Sequence, residues 1–437
     1  MKTTEYRCVL IRPNSCTVLV FSDNGRYRLP RISTLAAMRS ARELQKAIKA
    51  IWDLNVFILE IRAASTNVDP LAFAELRTSG VTSPLKEIAI RQLLELGLSE
   101  DEMDRVELLI QGRTENSLAK LGWIDAAIAW IESATGRTFG SSKSIEQWNA
   151  GGGFALFRAC SVEGRSYWLK ATGEPNVREF GMTCFLCDLY PDFLPKVVAT
   201  KTEWNAWLAE HAGDSLPDLP SAAELASAAN RMARLQLLSC GRINELLAAG
   251  AFDQRLPALR GHIDRVISFL IEAMARQTST KSVLLSADRL LELGEILRNA
   301  CSRQEELDIP DTLIHNDLNT GNILWDGKNC VFTDWCEAAI GSPFLSCERL
   351  GQLNRAHQES VRDAYRECWS NRLGMARINE TMVLSPLLAV YACLYGRGDW
   401  LDDTREVPPN FESYARSLAR HMDRAARNPA LLERLYH

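Results

Sequence analysis

Residues 312–335, "TLIHNDLNTGNILWDGKNCVFTDW", decide the fold. This stretch of 24 residues contains one His, three Asp and four Asn among apolar runs typical of buried strands. Asp326 and Gly327 stand between the runs "NILW" and "CVFT", and an Asp-Gly pair between two apolar runs is a strong hairpin signal. The sequence therefore predicts a hairpin with an unusual number of acids and amides around it.

The two ends of this hairpin predict a cation site. Asn322 begins the first strand and Asp334 follows the second, so the hairpin brings the two side chains together although twelve positions separate them. An amide oxygen and a carboxylate form an oxygen-only site that suits Mg²⁺. They supply half a coordination sphere, to which phosphate oxygens would be added.

Upstream of the hairpin, Asp317 lies five residues before Asn322 on the loop that enters the same strand. A carboxylate beside a metal can accept the proton of an attacking hydroxyl group. His315 is expected to hydrogen-bond the backbone and fix this loop. Any one of these residues could instead serve a solvated polar turn, where Asp and Asn are common.

Composition excludes several classes of protein. A chain of 437 residues predicts two or three domains. The net charge of −5 argues against a nucleic-acid partner, which would demand a surplus of Lys and Arg. No segment reaches the ~20 uninterrupted apolar residues of a membrane span, and the first residues lack a signal peptide. We therefore expect a cytoplasmic protein with no membrane partner.

The twelve cysteines and six histidines predict no metal cluster. Only Cys184 and Cys187 form a close pair, and no second CxxC or CxxH lies nearby. We expect reduced, buried thiols.

The chain before residue 135 reads as a small α/β region. Residues 6–30 predict strands with a turn at Asp23-Asn24-Gly25, and residues 34–54 predict a helix in which Leu44, Ile48 and Ile51 fall at helical spacing. A strand at 55–63 follows. The pattern of the next 70 residues predicts mainly helices, with a capping box at Ser99 and Glu102.

The pattern changes after the Gly/Ser/Thr-rich linker at 135–144. Three strands, one helix and two further strands are predicted, and "SYWLKAT" places Lys170 in the third strand. From Ser221 onward the pattern is helical, beginning with a capping box that ends at Glu224.

The residues around the hairpin resemble a known family. "LIHNDLNTGNILWDGKNCVFTDWCEAAIGSP" is similar to the signature of the aminoglycoside phosphotransferase and choline kinase-like family, which has the protein-kinase fold. The resemblance extends loosely over residues 145–437. It implies that Asp317 is the catalytic base, that Asn322 and Asp334 bind magnesium, and that ATP is the donor, with GTP left open.

The same resemblance assigns roles in the predicted small lobe. Lys170 would hold the α- and β-phosphates and Glu179 would pair with it; Glu174 competes for this pairing, and a snorkelling edge lysine is the alternative for Lys170. Gly151, Gly152 and Gly153 would form the glycine loop, a weak signal alone. The backbone of Glu210, His211 and Ala212 would contact adenine.

Two departures from the family pattern stand out. Ser342 and Ser346 replace acids that usually brace the metal loop, and Asn316 replaces a glycine after the histidine. We therefore expect different bracing here.

The N-terminal third resembles a degenerate Nudix domain, with an LPxG-like turn and a helix carrying "REL". Gln45, Lys46 and Ala47 stand where further glutamates would bind metal, so catalysis by this domain is not expected. Ligand recognition, docking or homodimer formation remain as roles, and an unrelated α/β domain remains as an alternative.

Together these features predict an α+β, two-lobed kinase-like fold behind a small α/β domain. The expected domains are 1–135, a small lobe at 145–215 and a helical lobe at 216–437. The expected activity is ATP- and Mg²⁺-dependent transfer of the γ-phosphoryl group to a hydroxyl of a small molecule. A pseudokinase or nucleotide sensor, and a protein kinase, are the alternatives. Helical aromatics are candidates for lining the acceptor pocket, although such residues are more often core: Trp369, Tyr391, Tyr395 and Trp400.

Overall fold

The computed structural model describes the chain apart from residues 1–2, 14, 16, 24–25, 36–39, 63–68, 79–83, 114–117, 119, 141–144, 152, 402–409 and 437. Two compact units emerge. The first comprises Met1–Phe180 with Lys196–His211, and the second comprises Gly181–Pro195 with Ala212–His437. The division into domains at 1–135, 145–215 and 216–437 stays a prediction.

The first unit opens with a mixed seven-stranded sheet. Its central path runs β3-β2-β1-β6-β5, with β4 on β1 and β7 on β2, and β1 and β6 are parallel. The strands are β1 Thr3–Arg12, β2 Thr17–Asp23, β3 Arg26–Arg28, β4 Arg31–Leu35, β5 Val56–Arg62, β6 Leu71–Leu76 and β7 Leu85–Ala89; the helices are α1 Ser40–Trp52, α2 Glu100–Ile110 and α3 Trp123–Thr135.

Several predictions for this region are wrong. The helix predicted at 34–54 begins at Ser40, and the end of β4 occupies its first two positions. Two strands, β6 and β7, interrupt the stretch predicted as mainly helical, since short apolar runs do not distinguish strand from helix until a pairing partner is known. Ile51 is 59% exposed, because the helical repeat buries Trp52 instead.

The capping box at Ser99 and Glu102 is confirmed. The Ser99 hydroxyl accepts the Glu102 N–H, and the Glu102 carboxylate accepts the Ser99 N–H. The predicted turn at Asn24-Gly25 lies outside the described residues.

A second, five-stranded antiparallel sheet follows in the order β11-β12-β10-β9-β8. The predicted strands and helix are confirmed: β8 Ile145–Asn149, β9 Phe154–Cys160, β10 Ser166–Thr172, α4 Arg178–Leu189, β11 Val197–Lys201 and β12 Ala206–Glu210. The strand that carries Lys170, β10, lies at the centre of this sheet.

The two sheets of the first unit share one hydrophobic core. Phe57 of β5, Trp123 of α3 and Phe157 of β9 contact one another with ring centroids 6.0–6.1 Å apart. Trp204 packs on Trp123 at 5.6 Å. Helix α3 and these aromatic side chains therefore connect residues before and after the predicted linker.

The second unit is mainly helical. Its helices are α5 Ala222–Ser239, α6 Ile243–Ala248, α7 Leu256–Gly261, α8 Ile263–Ala275, α9 Ala287–Glu306, α10 Pro343–Leu353, α11 Gln358–Leu373, α12 Met375–Tyr395, α13 Phe411–Ala426 and α14 Pro429–Tyr436. Two three-stranded sheets hold β13 Asp214–Ser215, β16 Ile323–Trp325 and β17 Cys330–Phe332, and β14 Phe252–Asp253, β15 Thr312–His315 and β18 Ala338–Gly341. The capping box of α5 at Ser221 is confirmed.

Helix α12 is the one described helix that is long and apolar enough to cross a membrane. Its most apolar window is 67% buried, as in the core helix of a globular protein. The predicted α+β class is confirmed, with sheets concentrated in the first unit and helices in the second.

Candidate active site

The hairpin predicted from Asp326-Gly327 forms as β16 and β17, with Ile323 opposite Phe332. The Asp326 Oδ1 accepts the N–H groups of Lys328 and Asn329 at 2.8 and 2.7 Å, and this closes the turn. At the other end, the Thr333 N–H donates to the Asn322 carbonyl at 3.0 Å. Asn322 is therefore held opposite the residue that precedes Asp334.

The Asn322 side chain is oriented by Asp317. Its Nδ2 donates to the Asp317 carbonyl at 2.8 Å and to the Asp317 Oδ2 at 3.0 Å. Within the described part of the chain no group donates to the Asn322 Oδ1. That oxygen is the atom left for a cation, as Mg²⁺ coordination would require.

Asp334 adopts the left-handed conformation, with φ 67°. A non-glycine residue pays a conformational cost there, and such residues concentrate at functional sites. The strained residue is the one that the sequence assigns to the metal. The oxygen donors of Asn322 and Asp334 fit a magnesium ion that also binds phosphate oxygens.

The Asp317 carboxylate is exposed and held by two amides. Its Oδ1 accepts from the Asn319 Nδ2 and its Oδ2 from the Asn322 Nδ2, both at 3.0 Å. Asn319 is itself fixed, because its Oδ1 accepts the Gly321 N–H at 2.8 Å. Asp317 is therefore a preoriented carboxylate that faces solvent and can accept a proton.

His315 is fully buried behind this loop. Its Nε2 donates to the Thr333 carbonyl at 2.9 Å, and its ring packs on Trp335 with centroids 4.5 Å apart. Burial lowers the pKa of His315, so the ring is neutral and its Nδ1 carries no proton. The contact joins the Asp317 loop to the end of the hairpin.

A cavity of about 630 Å³ in the second unit opens beside Asp317. Its charged and polar lining comprises Asn316, Asp317, Glu337, Arg349, Arg397 and Asp399. Trp400, Phe411 and Tyr414 form an aromatic wall, with the first two ring centroids 4.9 Å apart. The cavity thus offers a hydroxyl-bearing molecule charged groups of both signs and aromatic faces.

Glu337 is a carboxylate of this cavity that was not predicted from the sequence. Burial raises the pKa of Glu337, and the charge of Arg397 is the largest influence in the opposite direction. It makes no hydrogen bond or ion pair with any described residue. Its position three residues after Asp334, inside the motif, is the signal that could have found it.

Arg349, Arg397 and the aromatic wall leave no comparable signal in the sequence, because separate helices bring them to the cavity. Of the helical aromatics considered from the sequence, Trp400 lines the cavity. The other three are buried core residues: Trp369, Tyr391 and Tyr395.

In the first unit, Lys170 and Glu179 form a buried ion pair. Lys170 is 7% exposed and Glu179 is 1% exposed, and the Lys170 Nζ donates to the Glu179 Oε1 at 2.6 Å. Lys170 lies in the central strand β10 rather than at an edge, with the Phe154 ring 5.2 Å away. An ammonium so placed requires the carboxylate, since an unpaired buried charge is costly.

The glycine loop connects β8 and β9. Gly151 has φ 131°, a conformation open to glycine, and the Gly153 carbonyl accepts the Gly173 N–H at 2.9 Å. Gly152 lies outside the described residues.

At the predicted hinge, the His211 Nδ1 accepts the Trp168 Nε1–H at 3.1 Å. Glu210 pairs with Lys196 through an exposed contact of 2.9 Å. The chain passes from the first unit to the second between His211 and Ala212.

A metal cluster of protein side chains is not seen: no group of three or more His, Cys, Asp or Glu comes together among the described residues. A cation at the hairpin would thus depend on few protein oxygens and on its ligand.

The five-stranded sheet carries a buried Lys-Glu pair, and a helical region with an oxygen-rich loop and hairpin follows it in the chain. This combination defines the protein-kinase-like class of phosphotransferases. Residues 206–345 match the model of the phosphotransferase enzyme family (APH). The predicted enzyme class is thereby confirmed. No curated protein matches the chain in sequence.

Solved structures with similar coordinates include a choline/ethanolamine kinase family protein from Mesorhizobium loti, with 16% identity, TM-score 0.45, 65% of this chain and 89% of that chain covered. Macrolide 2'-phosphotransferase MphH from Brachybacterium faecium has 16% identity and a TM-score of 0.43, and the match covers 68% of this chain and 98% of that chain. Choline kinase from Cryptosporidium parvum Iowa II has 13% identity and a TM-score of 0.46, and the match covers 68% of this chain and 94% of that chain.

Proposed function

We propose that this protein transfers the γ-phosphoryl group of ATP to a hydroxyl group of a small molecule. The observation that carries the proposal is the Asp317 loop. One carboxylate, held by two amides, faces a cavity of about 630 Å³. One of these amides belongs to Asn322, whose carbonyl accepts the N–H of Thr333, the residue before Asp334.

In the proposed reaction Asp317 is the base. The acceptor hydroxyl loses its proton to the Asp317 carboxylate as its oxygen bonds to the γ-phosphorus, and the bond from that phosphorus to the bridging oxygen breaks to release ADP. The amides of Asn319 and Asn322 fix the carboxylate, so orientation is established before the acceptor arrives.

Asn322 and Asp334 are the proposed ligands of Mg²⁺, which when bound neutralises charge on the phosphates. Lys170, held by Glu179, is the proposed contact to the α- and β-phosphates. Gly151 and Gly153 would let the backbone approach the nucleotide, and the residues from Glu210 to Ala212 would meet the base. GTP in place of ATP is an outcome for experiment.

The short connection after Asp334 favours a small acceptor. Strand β18 ends at Gly341 and helix α10 begins at Pro343, so no long loop follows the metal residue as a docking segment for a protein substrate. The cavity beside Asp317 instead has the dimensions of a small-molecule site.

The test is a screen of pooled hydroxylated metabolites with ATP and Mg²⁺, read by mass spectrometry for the gain of one phosphoryl group. We expect a phosphorylated product that requires Mg²⁺. Binding of Mg²⁺-ATP with no product from any pool, and no slow release of ADP, would contradict the proposal and favour the nucleotide sensor.

Recognition of the acceptor is assigned to Glu337 and Arg397. We expect Glu337→Gln and Arg397→Gln to raise KM for the acceptor about tenfold or more, because each removes one charged contact in a partly desolvated cavity. The KM for ATP should change little. Exposed Arg372, outside the cavity, provides the matched control, Arg372→Gln; equal effects on both KM values would contradict the assignment.

A further inference from the structure

Arg349 contacts the backbone of the catalytic loop one residue before Asp317. Its Nη1 donates to the Asn316 carbonyl, and its Nη2 lies 3.4 Å from the Asn316 Oδ1. The planar guanidinium thus reaches two acceptors of one residue, a geometry that lysine cannot reproduce. Asn316 is 5% exposed, so the contact is made inside the protein.

Among the described residues, Arg349 has no ion-pair partner. Arg349 is half-buried. Burial lowers the pKa of His315 and raises that of Glu337; the charge of Arg349 adds to the first shift and opposes the second. A half-buried guanidinium needs hydrogen-bond acceptors, and among the described residues Asn316 supplies them through its main-chain carbonyl and its Oδ1.

The helix that carries Arg349 is well anchored. In α10, the Pro343 carbonyl accepts from the Gln236 Nε2 of α5 at 3.3 Å. Buried Glu348 accepts from the Arg362 Nη2 at 3.1 Å and from the Gln358 Nε2 at 3.2 Å, both in α11. Arg349 therefore extends to the catalytic loop from a helix that α5 and α11 hold in place.

The two serines on and before this helix do not brace the loop. Ser342 and Ser346 are buried, and neither hydroxyl has a hydrogen-bond partner among the described residues. Arg349 follows Ser346 by three positions, which is nearly one turn of the same helix, and so faces a similar direction. The side chain that contacts the loop from this helix is Arg349, through Asn316.

We propose that Arg349 is a positioning residue that holds Asn316, and through it Asp317, in the geometry required for proton acceptance. The inference rests on the proposed function, because positioning has a kinetic meaning only if Asp317 acts on an acceptor. The contact itself is independent of the acceptor and can be measured without one.

The experiment combines kinetics with hydrogen exchange of the catalytic-loop peptide, residues 312–322. We expect Arg349→Ala to lower kcat about 10- to 100-fold, since small misplacements of reacting groups cost this much. KM for ATP should change little. The loop amides should exchange at least about tenfold faster, because local opening becomes easier.

Two further variants sharpen the test. Arg349→Lys keeps one donor and should restore part of kcat, and Asn316→Ala keeps the carbonyl and should lose less than Arg349→Ala. The matched control is Arg377→Ala. Arg377 also donates to loop carbonyls, those of Leu307 at 2.7 Å and Asp308, but at a different loop. It should leave exchange at 312–322 unchanged.

The outcomes separate the two proposals. If no variant or wild-type protein shows turnover, the proposed function fails, while faster exchange in Arg349→Ala still establishes the brace. If Arg349→Ala exchanges at 312–322 like the wild-type protein, or if Arg377→Ala loosens that loop equally, the inference is wrong whatever the turnover.

Discussion

At the scale of single residues, the free-energy cost of burying a charge is offset by a specific partner of opposite charge. Lys170 sits in the middle of a sheet with Glu179 as its carboxylate. A pair of this kind adds little net stability over an apolar pair, but removal of one partner leaves an uncompensated charge. Such a pair is retained where its charge serves a ligand, which is the proposed role of Lys170.

We expect Lys170→Met to destabilise the protein by about 3–5 kcal/mol, because the buried Glu179 carboxylate loses the ammonium group that it pairs with. The double variant Lys170→Met with Glu179→Leu should recover most of that loss, since it removes both charges. Urea unfolding measures the stability, and calorimetry with ATP measures binding. Recovered stability with ATP affinity still lost supports the role; full affinity in the stable double variant would contradict it.

Asp311 provides a pH-dependent residue outside the proposed chemistry. Burial raises its pKa from the ordinary 3.8 to about 6, and Asp253 contributes in the same direction while Arg255 opposes. The folded state therefore holds the proton more tightly than the unfolded state. Stability is lost as pH rises from about 4 to about 6 and stays lower above that range.

We expect Asp311→Asn to raise the thermal midpoint at pH 7.5 and to change it little at pH 4. The reason is that a buried amide, unlike a buried carboxylate, has no charge to desolvate. Thermal unfolding of both proteins across this range is the measurement. A difference that does not depend on pH would show that burial of the Asp311 carboxylate is not its cause.

At the scale of elements, the hairpin of β16 and β17 depends on the close approach of β13. Gly213 has φ 110°, and a Cβ there would lie 2.3 Å from the Trp325 carbonyl oxygen. The strand β13 pairs with β16 directly after this glycine, with Asp214 opposite Trp325. Only glycine allows that approach.

We expect Gly213→Ala to displace β13 from β16 and to weaken Mg²⁺-ATP binding, with a stability loss of at least about 2 kcal/mol from clash and strain together. Gly327→Ala is the matched control. Gly327 also has positive φ, 97°, but nothing lies within 4 Å of its Cβ. Equal losses in the two variants would mean that conformational strain alone, and not the contact with Trp325, determines the effect.

The elements also show why sequence could predict some features and not others. Asp317, Asn322 and Asp334 lie within one hairpin and its entry loop, so local turn chemistry was enough to predict their proximity. Lys170 and Glu179 are nine residues apart on adjacent elements. Strands β6 and β7 were missed, because their identity depends on pairing with β1 and β2.

Tertiary packing accounts for the remaining site residues. Arg349, Arg397 and Tyr414 come from three different helical regions, and no short-range pattern relates them to Asp317. The roles assigned to individual residues stay proposals, as does the Nudix-like nature of residues 1–135 with its docking or dimer function.

At the scale of the molecule, the first unit is one packing body. Its largest cluster of buried apolar residues draws from the seven-stranded sheet, helix α3 and the five-stranded sheet. The buried Gln147 of β8 also donates to the Ile58 carbonyl and accepts its N–H, both at 2.7 Å. The N-terminal third therefore supports the sheet that carries Lys170.

We expect a chain truncated to residues 145–437 to lose ATP binding and to aggregate, because removal of the N-terminal third exposes Phe157 and its neighbours to water. Phe57→Ala in the full-length chain is the milder test. This substitution should lower the free energy of unfolding by about 3–5 kcal/mol. It should also reduce ATP affinity at temperatures near the midpoint of thermal unfolding. A truncated chain that stays monomeric and binds ATP normally would contradict this account.

The most direct test of the central claim compares wild-type protein with Asp317→Asn under one set of conditions, Mg²⁺-ATP with the acceptor found in the screen. Calorimetry of ATP binding and the rate of product formation are measured on the same samples. The account predicts ATP affinity close to wild type and a fall in kcat of about 10²- to 10⁴-fold, the usual contribution of a general base. Loss of ATP affinity with kcat preserved at saturating ATP would contradict it.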